Sequence, residues 1–179
     1  MKKELISILL SDNIVDSINN NLDKLIVIIP EIKDMIGFKH NHPHHHLDVW
    51  KHTLLALSMS ENDFKIRLAL LLHDIGKPHS FQEGEIRHFK GHPKQSSIIS
   101  KNILERLNFN KEFIRDICYI IEKHDTKITE EEIKNNYNLE YLRYKVQTCD
   151  ALAHHPDKLE KRQEYLNSIV NMFENIKVK

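Results

Sequence analysis

Glycine and proline are scarce in this sequence, four and five residues among 179. A sandwich or barrel needs many tight turns, and turns draw heavily on these two residues. Their scarcity points to helices joined by short polar loops. Cysteine is scarcer still. Cys118 and Cys149 stand far apart with no CxxC spacing, which excludes a disulfide framework and a thiolate metal site. Both fall in apolar helical patterns and are read as buried small hydrophobes, which suits a reducing compartment. No apolar run is long enough to span a membrane. The first ten residues form an amphipathic pattern too short for a signal peptide, so a cytoplasmic protein is expected. Net charge is also lacking, with 26 Lys and Arg against 26 Asp and Glu. Nothing global draws the chain to nucleic acid or to an anionic membrane.

What is present is ordinary, with one exception. Hydrophobic residues at 40% and charged residues at 29% mark a globular chain, long enough for one core without covalent staples. The exception is histidine, with thirteen residues, five of them crowded between His40 and His46.

Apolar periodicity predicts one or two helices over 3–29, broken near Ser11 and Asp12, with a stripe of Leu5, Ile8, Leu9, Ile14, Ile18, Leu22 and Leu25. Pro30 ends that run, and a short helix or turn closes at Gly37. The segment 39–47 is a polar, His-rich loop. Asp48 and Asp63 are expected N-caps for helices over about 49–60 and 64–76. A loop follows over 77–91. Further helices are expected over about 93–107, 111–124, 129–136, 139–153 and 157–176, with proline at the first position of the 93–107 helix. No strand is predicted. The fold class is an all-α helical bundle.

Several polar residues fall where apolar ones belong. Val49, His52, Ala56 and Met59 step by helical intervals, which puts His52 on an apolar face. Ile66, Leu70, His73 and Lys77 do the same, and Asp74 follows His73 inside an apolar run. Phe113, Ile117, Ile120 and His124 form another such series, and Leu142, Val146 and Asp150 a fourth. His92 stands at the mouth of a helix. A lone inward His is usually a hydrogen-bonded core residue. Here four histidines and two aspartates turn inward from five helices, with few Lys or Arg cations beside them, and buried charge needs a partner. Metal ions are the natural counter-charge. Imidazole and carboxylate without thiolate favour Fe, Mn, Ni, Co or Zn. Six donors exceed what one catalytic metal can use while keeping an open position, and they suit two divalent ions with one bridging carboxylate. Two such ions outweigh two carboxylates, and the residual positive charge would draw a phosphate.

The run LALLLHDIGKPHSF, His73 to Lys77 at its centre, resembles the signature of HD-domain metal-dependent phosphohydrolases. The family order of an early His, the His-Asp pair and a late Asp is met by His52, His73, Asp74 and Asp150. The two-metal subgroup's added histidines are met by His92 and His124. The resemblance covers about residues 45–155. It implies that Asp74 bridges two ions, that His52, His73 and Asp150 complete one, and that His92 and His124 complete the other. It also implies an HD domain over 39–179, with 1–38 as a helical lead-in packed on the core, together one structural unit. Lys77 either contacts substrate phosphate or is a solvated lysine at a helix C-terminus.

HPHHHLDVWKHTLLAL, HDIGKPHSF and HFKGHP together resemble the HD domain of bacterial tRNA nucleotidyltransferases, as does Ile29-Pro30-Glu31 upstream. The paired carboxylates of that family's polymerase head have no counterpart in this sequence, so nucleotidyl transfer is not expected. The expected substrate is a nucleotide or another small phosphate ester or anhydride. The His40–His46 loop either lines the cavity mouth, with His46 as its candidate contact, or is simply solvated. His88 and Asp125 are further candidates, and Arg87 either reaches an anionic substrate or lies at the surface. Two other readings share these residues: a di-iron oxygenase of the HD fold, and a non-catalytic module that binds RNA or a partner.

Overall fold

The computed structural model describes residues 1–41, 47–154 and 159–177. His46 therefore lies outside the described residues. Ten α-helices and no strand occur among those described. They are α1 Lys2–Leu9, α2 Ile14–Asn20, α3 Leu22–Ile28, α4 Val49–Ser58, α5 Phe64–Leu72, α6 His92–Arg106, α7 Lys111–Glu122, α8 Glu130–Asn135, α9 Tyr137–Leu152 and α10 Leu159–Lys177. Short 3-10 turns cover Pro30–Asp34 and Lys77–His79.

Side-chain caps set many of the starts. The Asp48 carboxylate accepts from the Lys51 amide at 2.8 Å, and that of Asp63 from the Ile66 amide at 2.9 Å, each satisfying an amide that the helix leaves unpaired. Asn110 caps α7 in the same way, and Thr129 with Glu132 forms a capping box at α8. The N-terminal stretch is three helices rather than one or two, because Asn13 caps a new start and Asn21 both ends α2 and begins α3. α4 stops at Ser58, which leaves Met59 exposed and off the stripe expected of it. Cys118 is half-buried, not buried, since it lies on the flank of α7 toward Ser97.

α5 is the axis of the bundle. Every residue from Ile66 to Leu72 is buried, as befits a helix surrounded on all sides, here by α1, α4, α7 and α9. One apolar cluster runs from Leu5 in α1 to Ala153 after α9. A smaller one joins Ile128 and Ile133 to Ile169 and Phe173, so α10 is held against α8 and α9.

A buried charge fixes the segment between α7 and α8. The Arg143 guanidinium has no exposed surface. It donates to Glu140 at 2.8 Å, to the carbonyls of Lys123, Thr126 and Lys127, and to the Thr126 hydroxyl. Glu132 lies 3.4 Å away. Burial opposes the charge on Glu132, but the Thr129 amide and Arg143 outweigh it and hold its carboxyl below the usual range. Replacing Arg143 with Met leaves the buried Glu140 carboxylate with the Tyr119 hydroxyl but no counter-charge on its other oxygen, and a loss of about 3–5 kcal/mol is expected in urea unfolding. The Glu132 contribution is complete above the ordinary value of 4.5 and is lost as pH falls through the lower folded value. The stability gap between wild type and R143M should therefore narrow on acidification below pH 4.5.

Candidate metal centre

The C-terminal ends of three helices meet at one point. His73 ends α5, His124 stands just beyond α7, and Asp150 lies in the last turn of α9 with His154 after it. The last carbonyls of a helix have no partner within it. Imidazoles take them here. Nδ1 of His73 donates to the Leu70 carbonyl, Nδ1 of His124 to Ile121 and Nδ1 of His154 to Asp150, each at 2.7 Å. His52 donates to Ala153 at 3.2 Å, and His92 to Phe89 at 2.9 Å. A carbonyl only accepts, so each of these Nδ1 atoms carries a proton. This corrects the expected α5 boundary near Gly76. The chain leaves the helix after Leu72 through three-residue turns, Ile75 to Leu72 and Lys77 to Asp74, and His73 and Asp74 sit at that turn.

The Nε2 atoms of His52, His73, His92 and His124 converge on Asp74, which is buried. On the Oδ2 side lie His73 at 3.2 Å and His52 at 3.7 Å. Asp150 Oδ1 joins that side, 2.9 Å from His52 Nε2 and 3.5 Å from His73 Nε2. On the Oδ1 side lie His92 at 3.2 Å and His124 at 3.9 Å. All six sequence-predicted donors thus come together, and Asp74 stands between two groups of them.

The donors fit a divalent cation. Both Asp74 oxygens and His73 Nε2 are buried without a hydrogen bond of good geometry, and only Oδ2 has an ammonium, that of Lys77 at 2.7 Å, beside it. Oδ1 and His73 Nε2 would each cost about 1–3 kcal/mol if left so. His92 Nε2 and His124 Nε2 lie 3.3 Å apart, close enough for both to serve one cation. Burial disfavours a charge on His73, yet the Asp74 and Asp150 carboxylates outweigh it and raise its pKa to about 10, a measure of how strongly this point draws positive charge. Burial lowers His124 to about 4. The helix ends that meet here carry partial negative charge as well.

Lys77 is the exception to the expectation of few inward cations. It is buried, with Nζ 2.7 Å from Asp74 Oδ2 and 3.0 Å from His40 Nε2, so it is no solvated helix terminus. His40 is buried too. Its Nδ1 donates to the Leu47 carbonyl, and burial lowers its pKa to about 3, which leaves Nε2 to accept from Lys77. His88 and Asp125 line the cavity outside the cluster. Arg87 lines it as well, but its guanidinium is committed to Glu83 and the Lys39 carbonyl and lies between Phe38 and Phe81, so it braces the 77–91 loop. His154 was missed. It completes a third group with His52 and Asp150, and its spacing of four from Asp150 was the available signal.

The family model for the HD domain matches residues 44–167, well over half of the chain. A CC-adding tRNA nucleotidyltransferase of Thermus thermophilus is 30% identical over 73% of this chain and 32% of its own length. An A-adding tRNA nucleotidyltransferase of Deinococcus radiodurans is 30% identical over 58% of this chain and 25% of its own. A multifunctional CCA protein of Shewanella denitrificans is 34% identical over 54% and 24%. The matched stretch spans at most about a third of these relatives.

Gly76 ties His92 to this centre. Its amide donates to Ser96 Oγ at 2.9 Å, and the first turn of α6 packs directly on it. An added Cβ would collide with the Ser96 backbone nitrogen and lie 2.8 Å from the His92 carbonyl oxygen. G76A is expected to cost about 1–3 kcal/mol through this overpacking. It should also push α6 and His92 outward, so that metal bound per chain drops even where the variant is folded, as elemental analysis would read.

Proposed function

Because the chain belongs to the HD domain family, we propose that it is a metal-dependent phosphohydrolase acting on a nucleotide or another small phosphate ester or anhydride. The observation that carries the proposal is Asp74, whose two oxygens face two separate groups of imidazoles. In this reading His52, His73 and Asp150 would hold one divalent transition metal and His92 and His124 a second, with Asp74 available to both.

When bound, such ions supply a positive field that stabilises charge on phosphoryl oxygens and acidifies water. The chain's residues do the rest. The backbone carbonyls fix each imidazole tautomer and ring direction, so the donors are in place before substrate arrives. Asp74 is buried beneath the cavity that it lines, with His73 beside it. A cavity of about 390 Å³, lined by Lys77, His88, Phe89 and His92 among others, opens above them and admits a nucleotide-sized group. Lys77 stands at its inner edge, where His40 holds the ammonium toward Asp74 and a phosphate oxygen could be met in turn. The relatives act on nucleotides and tRNA by their names, which favours a nucleotide substrate. No helix among the described residues is long and apolar enough to cross a membrane.

The test is metal content of anaerobically purified protein together with phosphate release from a nucleotide panel. About two metals per chain and chelator-sensitive hydrolysis are expected. H124A should keep about one metal and lose at least 100-fold in rate, and D74A should lose both metals and activity. Unchanged hydrolysis by D74A would overturn the proposal, and oxygen-dependent turnover without phosphate release would replace it with the oxygenase reading.

A further inference from the structure

α10 buries Leu166, Ile169 and Phe173, a stripe with helical steps of three and four. One step of four further toward the N-terminus is Arg162. The inward face of α10 therefore carries a guanidinium at the position where packing gives way to a cavity. This cavity, about 310 Å³, is lined both by His124, Asp150 and His154 of the metal centre and by Arg162, Tyr165 and Lys127. Tyr165 is committed, since its hydroxyl accepts from the Ile128 amide and donates to Gln147. Arg162 makes no hydrogen bond or ion pair among the described residues. It is half-buried, burial disfavours its charge, and the carboxylate within electrostatic reach is Asp150. That carboxylate also faces His52 and His73, so a cation held there would take up its charge and leave Arg162 facing positive charge. Arg162 also lies in the first turn of its helix, where peptide dipoles disfavour a cation. Each of these conditions is relieved by an anion in the cavity.

We propose that Arg162 receives an anionic group of the substrate adjacent to the phosphate held at the metal centre. The substrate class is then a compound with two neighbouring phosphates, such as a phosphoric anhydride, rather than an isolated phosphate monoester. The planar guanidinium fork suits two oxygens of one phosphate, and Lys127 supplies a second cation at the rim. The proposal rests on the reading of the metal centre as a phosphate site.

The experiment uses the full chain loaded with manganese and two probes that cannot be hydrolysed, methylenebisphosphonate and methylphosphonate, with binding followed by calorimetry. Wild type should prefer the bisphosphonate. R162Q, with metal content and circular dichroism unchanged, should lose that preference by about tenfold to a hundredfold. R162K should retain part of it. A preference within about twofold of wild type in R162Q, or no binding of the bisphosphonate to wild type, would overturn the proposal. Should R162Q fail to fold, R162K must lower the preference at least about threefold for the proposal to stand. Release of phosphate from a nucleoside diphosphate, followed beside release of p-nitrophenol from its phosphate ester, tests hydrolysis separately. No release, with the preference lost in R162Q, removes the hydrolase reading and leaves the anion subsite. Release with an unchanged preference does the reverse.

Discussion

The buried carboxylate of Asp74 is the constraint on which the rest depends. An ionised group with 1% of its surface exposed carries a desolvation penalty of several kcal/mol. The fold answers it from every side. Lys77 approaches one oxygen, and four imidazoles surround the two. Each imidazole is held in turn by a backbone carbonyl, and several of those carbonyls are ones that a helix end would otherwise leave unpaired. Helix termination and imidazole orientation are therefore the same event. α5 and α7 stop where they do because the side chain of the next turn satisfies the last carbonyls, and the same bond turns Nε2 toward Asp74.

A centre assembled from helix ends needs those ends held, and the supports lie outside it. The Arg143 guanidinium gathers carbonyls of the segment that begins just before His124. The missing side chain of Gly76 lets α6 come close enough to bring His92 to Asp74. His40 clamps Lys77 from a position far away in sequence. None of these three residues faces the cavity as a reacting group. Each removes a freedom that would let the donors splay apart.

Much of this was legible in the sequence, and what was not has definite causes. His52, His73, His124 and Asp150 stood at apolar positions of helical patterns, and a polar residue on a buried stripe asks for an explanation whatever the fold. The periodicity overextended α5, because repeats of three and four do not reveal that a side chain has taken over the last carbonyl. The sequence leaves Lys77 open between two readings, since burial depends on partners distant in the chain, His40 among them. His40 itself was hidden in a run of histidines that reads as a solvated loop. His154 fell beyond the helix end expected for α9, although its spacing from Asp150 places it one turn on.

Arg162 shows how far the same logic extends. Its place on the stripe of Leu166, Ile169 and Phe173 is visible in the sequence by the criterion that picked out His52 and His124. The meaning differs with the sign of the charge. Inward imidazoles and carboxylates gather a cation, whereas an inward guanidinium with no ion pair among the described residues gathers an anion. The chain as a whole is neutral, so no long-range field brings a phosphate to it. Selection must act at short range, through groups spaced across the cavity mouth. With the metal centre and Arg162 both lining one cavity, the separation of two charges in the ligand becomes the quantity that is read, and affinity for a single phosphate matters less than the match between two.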